Sequence, residues 1–160
     1  MQFKTADLYD LYDNQLQVAL PVFLSYGARK KFSGKIVTVK CHEDNSLVAE
    51  QLNTSGQGNV LVIDGGGSLR CALVGDTLAQ KAINNGWDGI VVFGCIRDCA
   101  IINQMDIGIK ALQTNPAKSV KRNTGTQNEM VRFADVVFIP GHYLYADEDG
   151  IVTSASRILQ

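Results

Sequence analysis

Residues 59–99 read "NVLVIDGGGSLRCALVGDTLAQKAINNGWDGIVVFGCIRDC". "NVLVID" and "DGIVVF" are apolar runs of strand length without polar alternation, as expected of strands covered on both faces. Between them "DTLAQKAINNG" carries helical spacing and stops at glycine. Strand, helix, strand is a βαβ unit, so the two strands should run parallel with the helix crossing over them. "GGG" at 65–67 turns the chain off the first strand. A dinucleotide loop would need glycine at position 70, where Arg70 stands, and the Lys and Ser/Thr of a phosphate-binding P-loop are missing.

Outward from this unit, "GKIVTVKC" alternates strictly and reads as a strand. "EDNSLVAEQLNTSGQG" is a helix with capping candidates Asp44, Asn45 and Ser46 and a glycine stop. "TADLYDLYD" opens the chain as a short amphipathic helix with Thr5 as its N-cap. "DCAIINQMD" gives another short helix and "IGIKALQT" a further strand. Residues 115–129 form a long polar loop carrying Lys118, Lys121 and Arg122, either solvated or set to help an anionic substrate approach. The last third, "MVRFADVVFIPGHYLYADEDGIVTSAS", strings short β pieces between turn signals, with "DEDG" at 147–150 read as a hairpin turn rather than part of a calcium loop. The expectation is one α/β domain over residues 1–160 with a βαβ parallel core and additional β-strands.

The 46% hydrophobic and 19% charged residues fit a packed globular chain rather than a disordered or fibrous one. A net charge of −1 and the lack of a large basic run argue against direct nucleic-acid binding. No apolar segment approaches the roughly 20 residues needed to cross a bilayer, and the start of the chain has no export-signal pattern, so no membrane partner and a cytoplasmic location are expected. In that reducing compartment Cys41, Cys71, Cys95 and Cys99 should be free thiols. Cys95 and Cys99 are spaced C-x3-C, which suits neither a zinc knuckle nor a redox pair, and a zinc site of Cys95, Cys99, Cys41 and His42 carries little weight beside the reading of small buried hydrophobes. His42 and His142 have no partner at a telling spacing. Trp87 and Phe93 should fill the core.

The chemistry concentrates in two dipeptides. Gly75-Asp76 opens the crossover helix after the strand ending at Asp64, and Arg97-Asp98 follows the next parallel strand, so both fall at the carboxyl edge of one sheet. The amides of Asp76, Thr77 and Leu78 can hold a small carboxylate or phosphate there. Arg97 offers a planar, permanently charged fork to an oxo-acid. Asp98 can give a hard cation one oxygen and leave the other positions to water and substrate, as magnesium prefers. Asp76 could orient a metal-bound water or act as a base. On the dipeptide alone, a surface pair capping the helix that starts near residue 98 is the simpler reading.

Taken together, "VLVIDGGGSLRCALVGDTLAQKAINNGWDGIVVFGCIRD" resembles the family that joins the regulator of ribonuclease activity A proteins to the 4-hydroxy-4-methyl-2-oxoglutarate aldolases. The likeness extends to "TADLYDLY", "FSGKIVTVKC", "DIGIKAL" and "LYADEDGIV", and its most specific mark is Gly75-Asp76 followed by Arg97-Asp98, with Arg97 21 residues after Asp76. The resemblance implies a three-layer fold of swivelling-domain type, a homotrimer with sites at subunit boundaries, and a divalent cation, Mg2+ or Mn2+. It implies that Gly75, Asp76, Thr77, Leu78 and Arg97 bind a small 2-oxo acid, that Arg97 and Asp76 serve catalysis, and that Asp98 ligates the metal. The activity implied is aldol cleavage of 4-hydroxy-4-methyl-2-oxoglutarate and decarboxylation of oxaloacetate through a common pyruvate enolate. The alternative is an inhibitor that binds ribonuclease E.

Two departures from the aldolase pattern are visible. Ile101 stands where an acidic residue is usual three positions after the metal-binding aspartate, and no carboxylate side chain follows Asp149, where longer aldolases supply a glutamate. Both weaken support for metal-bound water, so weak catalysis is expected.

Overall fold

The computed structural model describes residues 2–159. In chain order the elements are α1 (Thr5–Tyr12), β1 (Leu16–Val18), β2 (Leu24–Tyr26), β3 (Phe32–Lys40), α2 (Ser46–Leu52), β4 (Asn59–Asp64), β5 (Ala72–Val74), α3 (Asp76–Asn84), β6 (Gly89–Ile96), α4 (Cys99–Ile102), β7 (Ile109–Thr114), β8 (Thr126–Gln127), β9 (Val131–Phe133), β10 (Val136–Phe138), β11 (Tyr143–Ala146) and β12 (Ile151–Ser154). Ten strands form one mixed sheet whose main path runs β1-β12-β11-β3-β4-β6-β7-β2. Its centre, β3-β4-β6-β7, is parallel, and its flanks are antiparallel.

β1 and β2 stand at opposite ends of an eight-strand path, yet only residues 19–23 join them. Laid flat, those edges would be about 34 Å apart at ~4.8 Å per strand, while the connection reaches roughly 20 Å at most. The sheet must therefore curl back on itself. Lys110 on β7 shows the same curvature: its buried Nζ donates to the carbonyl of Asp147, just beyond β11, at 2.6 Å, and to Ser25 Oγ on β2 at 2.8 Å.

The curled sheet has two buried faces, which gives three layers. Outside it, α2 and α3 set Val48, Leu52, Leu78, Ala79 and Ala82 against Leu61, Ile63, Ile90 and Val92. Inside, the β9–β10 ribbon sets Val131, Phe133, Val136 and Phe138 against Val60, Val62 and Val91. Residues of β4 and β6 thus face apolar neighbours on both sides, the reason their sequences do not alternate. Trp87 is buried, and Phe93 stacks on Phe133 with ring centroids 4.8 Å apart.

The sequence reading needs correction at several points. β5 is a separate strand between the glycine turn and the crossover helix, where the sequence shows no strand pattern; it pairs in parallel with Cys95 and Ile96 of β6, continuing the track that β4 leaves at Asp64. The glycine turn lets the chain leave that track and rejoin it: Gly66 and Gly67 have φ of 67° and 73°, and the Gly66 amide donates to Asp64 Oδ1 at 2.9 Å. Thr5 does not cap α1, whose N-cap is Lys4; the Thr5 amide and hydroxyl donate instead to the Asp147 carboxylate at 2.7 and 2.6 Å. "DEDG" is the turn between β11 and β12, closed by the Asp147 amide on Gly150 O. Residues 115–129 are not a free loop. They bridge β5 at Lys118 and add the short β8 to β3.

Candidate active site

α3 begins without a side-chain cap, because Gly75 is its N-cap. Its first amides have no acceptor within the helix. The carboxylate of Asp98 supplies one: Asp76 N–H donates to Asp98 Oδ2 at 3.0 Å. Asp98 is the N-cap residue of α4 but makes no cap there with its side chain. Its backbone is left-handed, at φ 60° and ψ 34°, a region where aspartate is more common than most residues. That turn aims the carboxylate back across to α3. The surface pair capping its own helix is therefore not what the chain builds.

Gly75 makes this approach possible. A Cβ there would lie 2.8 Å from Asp98 Oδ2 and 3.5 Å from both Cγ and Nε of Arg97. Arg97 is fixed by its amide on Val74 O at 3.0 Å, and its Nη1 reaches Pro116 O at 3.4 Å. Gly75, Asp76, Thr77, Leu78, Arg97 and Asp98 all line one cleft of about 260 Å³ beyond the carboxyl ends of β5 and β6. The Asp76 amide is already taken by Asp98, so the amides of Thr77 and Leu78 are the ones left for a ligand.

The cleft also contains residues that the sequence reading left open or missed. Lys118 and Lys121 line it, whereas Arg122 does not and gives its backbone amide to Asp44. Asn45 is the N-cap residue of α2, as its type suggested, but its side chain makes no cap bond there; it accepts from Lys121 Nζ at 2.9 Å and donates to Leu73 O at 3.1 Å. Asp44 organises both sides of this arrangement. Its Oδ1 accepts from the Ser46 amide and hydroxyl, and its Oδ2 from the Arg122 amide, the Thr124 amide and the Thr124 hydroxyl. Burial alone would push this carboxyl up, but these bonds hold it far below the usual carboxylate range. The hint in the sequence was the run Asp44-Asn45-Ser46, three capping residues where a helix needs one.

Among the described residues, no group of three or more His, Cys, Asp or Glu side chains converges to cage a metal. Asp98 Oδ1 accepts no hydrogen bond from the described residues, and Asp76 lines the same cleft. One free carboxylate oxygen on an exposed aspartate fits magnesium or manganese, which keep several waters, and does not fit structural zinc. Ile101 is exposed and lines the groove between α3 and α4 together with Asp76. The four thiols are free; Cys41, Cys71 and Cys95 are buried and Cys99 is partly exposed. No helix among the described residues is long and apolar enough to cross a membrane.

Fold and cleft together define a mixed α/β domain that gathers a helix N-terminus, an arginine and a carboxylate at the carboxyl edge of its parallel strands. Residues 5–153 match the family described as RraA-like, Aldolase/RraA, and the chain belongs to that family. A protein of Azotobacter vinelandii that carries the provisional name 4-hydroxy-4-methyl-2-oxoglutarate aldolase is 56% identical, over 96% of this chain and 95% of its own length. The RNA-processing inhibitor RraA of Thermus thermophilis has a structure of TM-score 0.95 at 40% identity, covering 99% of this chain and 96% of that one. A Geobacillus kaustophilus structure named as an S-adenosylmethionine:2-dimethylmenaquinone methyltransferase is 47% identical with TM-score 0.96, covering 98% and 97%. The three names describe three activities on one fold, so the choice among them for this chain falls to the site.

Proposed function

We propose that the chain is a divalent-metal-dependent lyase of short 2-oxo acids. It cleaves 4-hydroxy-4-methyl-2-oxoglutarate to pyruvate and decarboxylates oxaloacetate through the same pyruvate enolate. The observation that carries this reading is the junction of Asp98 with the start of α3, beside Arg97, in one cleft.

The Thr77 and Leu78 amides and the positive end of α3 hold the substrate's C1 carboxylate. Arg97 lies over the 2-oxo group and meets the negative charge that gathers on its oxygen as the C3–C4 bond breaks. In the aldol substrate Asp76 accepts the C4 hydroxyl proton, directly or through one water, and the bond electrons pass into the enolate as C4 becomes a ketone. In oxaloacetate the same electrons are released as C4 leaves as CO2. Protonation at C3 completes pyruvate in both. Asp98 would hold magnesium or manganese, which when bound supplies further positive charge to the enolate oxygen.

Arg97→Ala and Asp98→Ala should each abolish pyruvate release from oxaloacetate in magnesium buffer. Equal rates in wild type and both variants would remove the reading. The cytoplasm is the expected setting and a homotrimer the expected assembly.

A second reading is favoured by the likeness to the RNA-processing inhibitor over nearly the whole chain. In it the protein binds ribonuclease E through its outer surface, and the cleft plays no part. Calorimetric titration with ribonuclease E should then show binding that Asp98→Ala leaves intact. No heat and no co-purification would dispose of it.

A further inference from the structure

At the amino edge of the parallel strands, opposite the cleft, we propose a second small-molecule site, one that takes a nucleoside monophosphate. It goes beyond the lyase reading and does not rest on it. A cavity of about 620 Å³ opens there, within the size range of small-ligand sites. Its floor follows from strand register. Tyr143 of β11 pairs with Lys35 of β3, and Lys35 with Asn59 of β4, so the three side chains stand in one row on one face. Asp88, the residue before β6, gives its amide to Asn59 O at 2.9 Å and continues the row. This is the face that carries α2 and α3, but those helices cover Leu61, Ile63, Ile90 and Val92 further along the strands and leave the row open.

The facing wall comes from the end of the chain. Tyr145 packs edge-on to Phe3, with ring centroids 5.6 Å apart, and its hydroxyl accepts the Ile158 amide at 3.1 Å. Ser154 Oγ donates to Ser156 O at 2.7 Å and accepts the Ser156 amide at 3.3 Å. These bonds tie residues 154–158 down and bring Arg157 and Leu159 to the rim.

The lining has a part for each piece of a nucleotide. Lys35 and Arg157 are exposed cations that form no ion pair among the described residues, and together they can take a phosphate. Tyr143 is half-buried and has no ring partner among the described residues, which leaves it as a platform for a base. Gln57 and Asn59 each offer a donor and an acceptor to the edge of that base. Asp88 is suited to ribose hydroxyls: burial pushes its carboxyl up, and the Gly58 amide and Arg29 offset only part of that. A free phosphate would use the two cations and leave the ring and the amides idle. The strand β4 runs from Asn59 at this cavity to Asp64, about 17 Å at ~3.3 Å per residue, so the site is separate from the cleft at the carboxyl edge.

Calorimetry on the full chain in magnesium buffer compares adenosine 5′-monophosphate (AMP) with ribose 5-phosphate, which lacks the base, adenosine, which lacks the phosphate, and inorganic phosphate. AMP should bind saturably and at least tenfold more tightly than each of the other three. Lys35→Met and Arg157→Met should each weaken AMP by about tenfold. Tyr143→Leu should bring AMP down to the affinity of ribose 5-phosphate, whereas Tyr143→Phe, which keeps the ring, should leave it unchanged. Asp98→Ala should change none of these titrations. No saturable heat from AMP overturns the proposal, as does an affinity for AMP no greater than that for ribose 5-phosphate or phosphate. AMP binding that Asp98→Ala abolishes and Lys35→Met leaves intact would put the ligand in the cleft beside α3 and overturn it as well. The titrations measure no turnover, so failure of the lyase reading leaves their outcome untouched.

Discussion

Gly75→Ala isolates the junction on which the site depends. Gly75 has φ −118° and ψ −169°, extended backbone that alanine adopts without strain, so the substitution acts through contact alone. The new Cβ would stand 2.8 Å from Asp98 Oδ2, and the carboxylate must retreat about 0.6 Å to restore an ordinary 3.4 Å contact. The retreat stretches the 3.0 Å bond from the Asp76 amide and turns the carboxylate away from the cleft. Asp98 is exposed, so the stability cost is about 1 kcal/mol at most, a fall in Tm of roughly 2–4 °C for a chain of this size. Catalysis should suffer far more, because a misplacement approaching 1 Å at a reacting centre costs on the order of 100-fold. Pyruvate release from oxaloacetate, coupled to lactate dehydrogenase, measures the first quantity and thermal unfolding the second. A variant with wild-type kcat and KM would refute the assignment of this junction to the site. A collapse in Tm would refute the local reading of the substitution.

Three further outcomes follow from the same geometry. Ile101→Glu places a carboxylate in the groove shared with Asp76 and should raise kcat for oxaloacetate by about tenfold, the usual scale for outer support of a metal site; an unchanged or lower kcat contradicts this. The depressed Asp44 carboxyl contributes stability that is present above the ordinary aspartate pKa of about 4 and is lost as pH falls through its lower folded value. Asp44→Asn should therefore be less stable than wild type by about 2 kcal/mol at pH 7, with a gap that narrows below about pH 4 in denaturant titrations; a gap independent of pH counts against it. Burial pushes the Cys41 thiol up to about 12, and Cys71 and Cys95 are also buried, so at pH 8 the folded protein should show one fast thiol toward a maleimide, at Cys99. Labelling that Cys99→Ser leaves unchanged would contradict this.

The parallel core was legible in the sequence because β4 and β6 are covered on both faces and so carry unbroken apolar runs, while α3 has its own period and glycine stop. β5 was not, since three residues carry no period and its strand character comes from pairing with Cys95 and Ile96. β1 and β2 escaped for a related reason. Each is three residues long, and the stretch joining them leaves Leu20 and Val22 exposed, so no inward and outward alternation marks it. The dipeptides Gly75-Asp76 and Arg97-Asp98 could be placed at one sheet edge from topology alone. That Asp98 would cap a neighbouring helix instead of its own depends on its left-handed backbone, which the sequence does not encode in any local pattern. The placement of Lys118 and Lys121 along the cleft depends on Asp44 reaching across 78 and 80 residues to Arg122 and Thr124, a tertiary contact invisible to periodicity.

Proton exchange at the pyruvate methyl group tests the enolate site most directly, because it needs neither bond cleavage nor a second carboxylate. In deuterium oxide with magnesium, wild type should erase the methyl proton signal over time, and chelator, Asp98→Ala or Arg97→Ala should each reduce the rate to that of buffer. Exchange that proceeds equally in wild type, chelated protein and both variants, or that never exceeds buffer in wild type, would contradict the account.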